Sequence, residues 1–225
     1  MSATSDHTTP PSGGTTQTQD VIMTNPTALS ELEAYWSSLP RTRGIPKRNN
    51  VDPAAMGGLL EDSFILERVA PGVARIRVAG RNLTKLVGVE PRGLPLTAVI
   101  LPESRADMAH HIEAAFTGPN IVELSLVAPR AVGQPLLQGK ILMLPLLDDH
   151  GRVSRVLGVL VMSGRRGIGG RRFAISTSTP ARIDPIVGLR AIAGGKPTIW
   201  RPSPHLPRNE KAEVKPALRL VVCNS

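Results

Sequence analysis

Apolar positions recur at helical spacing near the start of the chain and alternate with polar ones further on. Leu29, Leu32, Trp36 and Leu39 share one helical stripe, which predicts a helix opened by Asn25-Pro26 and stopped at Pro40. Residues 41–50 are basic, polar and turn-rich, hence a loop, and Asp52-Pro53 repeats the cap-and-proline start for a short helix through Leu60. From Ser63 the period becomes two. Residues 64–69 and 73–79 flank the turn Ala70-Pro71-Gly72, with Ala74, Ile76 and Val78 on one face and Arg75 and Arg77 on the other. Residues 81–87 form a short helical stretch closed by Gly88. Pro102 and Glu103 open a longer helix with the stripe Met108, Ile112, Ala115 and Phe116, ended by Gly118-Pro119. Three strands follow: Val122, Leu124 and Leu126 in alternation, a nearly continuous apolar run at 141–147, and a return at 152–162 after the turn at 148–151. Two strands, helices, then three strands predict an α+β domain, one antiparallel sheet with helices on one face.

Composition changes this picture mainly at the ends. The chain has 225 residues and a mass of 24.0 kDa, enough for one ordinary domain with extensions or two small domains. Its 21 prolines, roughly double the usual share, assign part of the length to linker or tail. Residues 1–24 are rich in Ser, Thr, Gly and Gln and read as a disordered extension. The formal charge of +9 is concentrated late: residues 164–225 carry 12 bases and 3 acids, against 15 and 13 in residues 30–163. The predicted division is therefore a disordered extension at 1–24, a domain with its leading helix at 25–163, and a basic Pro/Gly-rich tail at 164–225. Residues 165–172 read as a flexible basic linker, and only residues 218–223 in the tail could form a late strand or docking segment. One cysteine excludes a disulfide framework and a cysteine-based zinc site. No apolar run approaches the ~18 residues of a membrane span, so the expected location is the cytoplasm.

A resemblance sharpens the fold. Glu33-Ala34-Tyr35-Trp36, Leu39-Pro40-Arg41, Arg43-Gly44-Ile45-Pro46 and Val51-Asp52-Pro53 resemble a family of small alphaproteobacterial stand-alone PAS proteins. So do Phe64-Ile65-Leu66-Glu67, Ala70-Pro71-Gly72, Ala79-Gly80, Arg92-Gly93, Leu144-Pro145-Leu146 and Leu157-Gly158. The resemblance implies a five-stranded antiparallel sheet in spatial order 2-1-5-4-3 with helices between the second and third strands. It also implies a sensory or regulatory module that often dimerises, and it brings no catalytic residues. Some PAS branches attach flavin through a helix cysteine or ligate haem through a helix histidine. The core has no cysteine, which excludes the first, and the helix stripe already claims the buried face beside His110 and His111, which disfavours the second.

The candidate site residues follow from these elements. Ile76, Leu86, Met108, Ile112, Phe116, Leu142, Leu144 and Val159 would enclose an apolar ligand between sheet and helices, or simply fill the core, the reading favoured here. Leu29, Leu32, Trp36 and Leu39 would either pack back on their own domain or, as favoured, bury area between two copies of the chain. Arg165, Arg166, Arg171 and Arg172 begin a basic run that could neutralise phosphates of nucleic acid or anionic lipid, although few aromatics accompany it for base stacking. Asp148-Asp149-His150 reads as a solvent-facing turn rather than a metal or acid–base site, and Glu61-Asp62 as a solvated pair. The glycines at 164–170 and 194–195 lack the helix and the Lys-Ser/Thr pair of phosphate-binding loops. No metal site and no catalytic set is recognisable. The sequence thus predicts a cytoplasmic module that acts by ligand- or partner-dependent protein contact, with a nucleic-acid-associated regulator as the alternative.

Overall fold

The structure is a computed structural model that describes residues 21–179 and 181–186. Of the extension read as disordered at 1–24, residues 1–20 lie outside the described residues, as does the tail from 187 with its docking candidate at 218–223. Val21–Met23 instead pair with the last long strand of the sheet, and Thr24 bonds to Met162. In chain order come β1 (Val21–Met23), α1 (Ala28–Ser38), a small hairpin β2 (Arg41–Thr42) and β3 (Ile45–Pro46), α2 (Pro53–Met56), β4 (Ser63–Ala70), β5 (Val73–Ala79) and α3 (Arg81–Val87). Then follow α4 (Arg105–Phe116), β6 (Asn120–Ala128), β7 (Leu137–Leu147), β8 (Val153–Arg165), β9 (Ala174–Ile175) and β10 (Arg182–Pro185). Local chemistry accounts for several boundaries. Asp52 caps α2 by accepting from the Ala54 amide at 2.9 Å, ahead of Pro53. Gly88, at φ +80°, closes α3 in the left-handed conformation that a Cβ would strain. Helix α1 starts two residues later than Pro26 suggested, with Thr27 at its N-cap; the Asn25 side chain accepts from the Thr27 amide in the turn before it.

The strands build one antiparallel sheet in the order β10-β6-β7-β8-β4-β5, with β1 on the far half of β8 and β9 on β6. Within it β5-β4-β8-β7-β6 reproduces the expected five-stranded order. Three further strands extend it. Helices α3 and α4 cover the inner face, where Leu66, Ile76, Leu83, Leu86, Met108, Ile112, Ile141, Met143 and Leu160 pack with all three phenylalanines of the chain, Phe64, Phe116 and Phe173. The outer face carries a second core of Leu142, Leu144, Leu146, Leu157 and Val159 under Ala28, Leu32 and Trp36 of α1. A sheet covered on both faces explains why β7 reads as an unbroken apolar run.

Three expectations are corrected here. Helices lie on both faces of the sheet, not one, because the leading helix folds back on its own domain. The stretch from 41 to 50, expected as a loop, contains the β2–β3 hairpin with Ile45 and Pro46 buried. The run after Gly164 is no linker: Phe173 is 0 % exposed, β9 pairs with β6, and the Arg182 guanidinium donates to both oxygens of Glu33 on α1 at 2.7 and 2.9 Å.

Candidate functional site

In the interior, Ile76, Leu86, Met108, Ile112 and Phe116, the candidates for lining a pocket, lie together in the core between sheet and helices. Leu142, Leu144 and Val159, expected beside them, lie on the opposite face under α1. Side chains alternate along a strand, so assigning these three to the pocket was a one-residue error of parity; Ile141, Met143 and Leu160 hold the inner positions. Phe173 takes part of the space that a ligand would need. Phe173, arriving from beyond β8, lays its ring over Gly139 of β7, about 3.2 Å from where a Cβ would sit. The backbone of Phe173 locks this position: its amide donates to Val99 O at 2.9 Å, and its carbonyl accepts from the Leu101 amide at 2.7 Å. Sequence reasoning missed this residue, although a lone aromatic followed by Ala-Ile after a polar run was a signal.

The acidic groups and histidines of the candidate sites are placed as follows. Asp62, expected to be solvated, is 4 % exposed and accepts from Asn82 Nδ2 at 2.7 Å; burial pushes its carboxyl up, against the lowering effect of that bond. Glu61 pairs with Arg81. His110 is exposed, and His111 flanks the stripe half-buried; burial lowers its pKa, Asp107 opposes this and His110 adds to it. Neither histidine belongs to the stripe of Met108, Ile112, Ala115 and Phe116 that α4 buries. At the β7–β8 turn, Asp148 accepts from the amides of His150 and Arg152, both at 2.9 Å, and from the side chains of Ser154 and Arg152. The backbone bond from Arg152 leads the causes that lower its carboxyl to about 2. The turn therefore consumes its own acid. Among the described residues no three His, Cys, Asp or Glu side chains come together as a metal site would require.

Residues 23–161 match the family model of the PAS domain. The chain belongs to the PAS family. Solved structures similar to this PAS domain include a light-oxygen-voltage domain whose mechanism was studied with a flavin analogue, 18 % identical, with 49 % of this chain and 83 % of that one covered and a TM-score of 0.39. They also include the light-state structure of the blue-light photoreceptor Aureochrome1 LOV (16 % identical, 51 % and 90 % covered, TM-score 0.36) and its dark structure (16 %, 48 % and 76 %, TM-score 0.33). No curated protein matches the chain. The only cysteine of this PAS protein, Cys223, lies outside the described residues and beyond the matched span. Among the described residues no helix is long and apolar enough to cross a membrane.

The two surface candidates fare differently in the PAS domain. Leu32 and Trp36, offered as dimer contacts, are 0 % and 2 % exposed against their own sheet, with Leu29 and Leu39 partly buried beside them. The Trp36 indole donates to Pro145 O at 2.9 Å, and the Arg41 guanidinium stands 4.8 Å over its ring centroid. The stripe is thus occupied within one chain. Of the four arginines offered to polyanions, Arg165 and Arg172 are exposed and Arg166 is half-buried, but Arg171 is only 3 % exposed. Its guanidinium donates to the carbonyls of Arg166 (2.6 Å), Ala128 (3.3 Å), Pro129 (3.1 Å) and Pro135 (2.8 Å), and its amide to Leu86 O (2.9 Å). Burial lowers its pKa, and among the described residues no carboxylate pairs with it. Arg171 is a structural staple, so Arg171→Met is expected to destabilise the fold by roughly 2–4 kcal/mol in urea unfolding, because several buried carbonyls lose their donor. Arg171→Lys should recover only part of this, since an ammonium cannot span carbonyls on two separate loops.

Proposed function

We propose that this PAS domain is a cytoplasmic regulatory module that acts through protein contact rather than turnover, with a second copy of the chain or another protein as its partner. One observation carries the reading: both apolar faces of the sheet are covered by segments of the same chain, Phe173 with α3 and α4 inside and α1 outside. Such covers are natural switch elements. A partner that binds better when one of them is displaced shifts the population towards that arrangement, and it can shift it only by its difference in affinity for the two. Helix α1 is the more exchangeable cover, because a single helix buries its stripe against the outer face, whereas α3, α4 and Phe173 close the inner face together. The same stripe, Leu29, Leu32, Trp36 and Leu39, would serve two copies if α1 crossed to a neighbour's sheet. Phe173 in the interior and the engagement of Asp62 and Asp148 within the chain favour this reading over an enzyme or a cofactor-dependent sensor.

Native mass spectrometry of the protein taken from its own host tests the proposal. The expected result is a stoichiometric protein partner, a second copy or a different chain, with no retained small molecule. A monomer carrying a stoichiometric small molecule would overturn it.

A further inference from the structure

Three segments far apart in the chain meet at one end of the sheet. There β6 ends at Ala128, β7 begins at Leu137 and β8 ends at Arg165, so the loop 129–136 and the segment 166–172 leave the sheet on the same side. The end of α3 joins them: Arg166 Nη1 donates to Lys85 O at 2.9 Å, and the Ile168 amide donates to Gly133 O at 3.1 Å. Arg171 ties all three together from below through the carbonyls of Leu86, Pro129 and Pro135.

This end is unusual in two respects at once. Residues 85–90, 129–136 and 165–172 carry six bases and one acid, Glu90. Among those charges stand aliphatic side chains that the fold leaves in water: Val132 is 98 % exposed, Ile168 68 % and Val89 59 %. A groove of about 680 Å3 opens between the loops, apolar at Val89, Leu94, Leu101 and Ala131 and edged by Arg172.

We propose that these three loops form a docking tip for an anionic membrane surface, with Val89, Val132 and Ile168 entering the headgroup layer and Lys85, Arg130, Arg165, Arg166 and Arg172 countering the lipid charge. Neither feature suffices alone. Cations held near an anionic leaflet are each worth about fivefold in affinity, and aliphatic side chains gain by leaving water at the acyl boundary. Nucleic acid would use the same cations but gains little from exposed aliphatics, and these segments hold no aromatic to stack on a base. A protein partner seated in the groove would leave in water Val132 and Ile168, which do not line it.

Co-sedimentation of the full chain with phosphatidylcholine vesicles, with and without ~30 % phosphatidylserine, provides the test. Binding is expected only to the anionic vesicles and should weaken as salt screens the charges. The basic tail from 187 onward remains in every sample, so the variants must isolate the loops. Val132→Ser with Ile168→Ser is expected to reduce binding about tenfold or more, and Arg130→Gln, Arg165→Gln and Arg172→Gln together about a hundredfold, both with an unchanged melting transition. The proposal is overturned if the full chain ignores anionic vesicles, if the loop variants bind as the parent does, or if an equally charged DNA duplex is held as tightly and is indifferent to Val132 and Ile168.

Discussion

Phe173→Ala is expected to lower the unfolding free energy by about 3–5 kcal/mol, the usual loss for an aromatic removed from a packed core. For a chain of this size that is a fall in melting temperature of roughly 10 °C or more. The residue is 0 % exposed, lays its ring over Gly139, and is bracketed by backbone bonds to Val99 and Leu101. Removing the ring leaves a void that those fixed backbones cannot close, so the cavity penalty adds to the lost transfer energy. A chain ending at Ser163 should fare worse, because it loses Phe173, the Arg171 staple and the strands β9 and β10 in one step. Thr177→Ala, at an exposed position, serves as the control. Urea unfolding of the three variants, followed by far-UV circular dichroism, decides the matter. An unaltered midpoint for Phe173→Ala, or a cooperative and undiminished transition for the shortened chain, would show that the segment merely rests on a complete domain.

That result bears on what could be read without coordinates. Element order, the hairpin at Pro71-Gly72, helix α3 with its Gly88 stop and the stripe of α4 were all legible, because each rests on local chemistry: a turn residue, a cap or a period. Parity on β7 and β8 was harder, since a strand buried on both faces has no polar residues to mark its outer side through most of its length. On β7, Gln138 and Lys140 betray it. They are exposed and share the outer face with Leu142 and Leu144, which the apolar run alone had placed inside.

The basic run 165–172 was misread for a different reason. Composition reports the solubility of a segment, whereas Arg171 is buried because carbonyls from residues 128, 129, 135 and 166 converge on it, and three of these belong to a distant hairpin. No window of sequence contains that convergence. The same holds for the loop cluster around Val132 and Ile168, whose basic and aliphatic members are unremarkable until the fold joins them. Helix α1 gives the complementary case: its stripe was correct, but amphipathicity says only that an apolar face will be covered, not by which surface.

Trp36→Ala addresses that last ambiguity and should be costly in two ways. The indole is 2 % exposed among the outer-face side chains, so its truncation is expected to remove about 3–5 kcal/mol of stability. It also strands Pro145 O, whose donor is the indole nitrogen. Trp36→Phe separates the two effects, since it keeps most of the apolar contact and loses the bond, and should cost only about 1–2 kcal/mol. Fluorescence offers a direct view. The chain has two tryptophans, and in a Trp200→Phe background Trp36 should emit at short wavelength and shift to the red as α1 leaves the sheet. With the helix loosened, Leu142, Leu144, Leu157 and Val159 face solvent as one apolar patch, which favours association. Light scattering across a concentration series should therefore find Trp36→Ala more self-associated than Trp36→Phe. If instead both variants unfold at the parent's midpoint and stay equally dispersed, α1 is not the seal on the outer face, and the proposal that its displacement carries the signal fails with it.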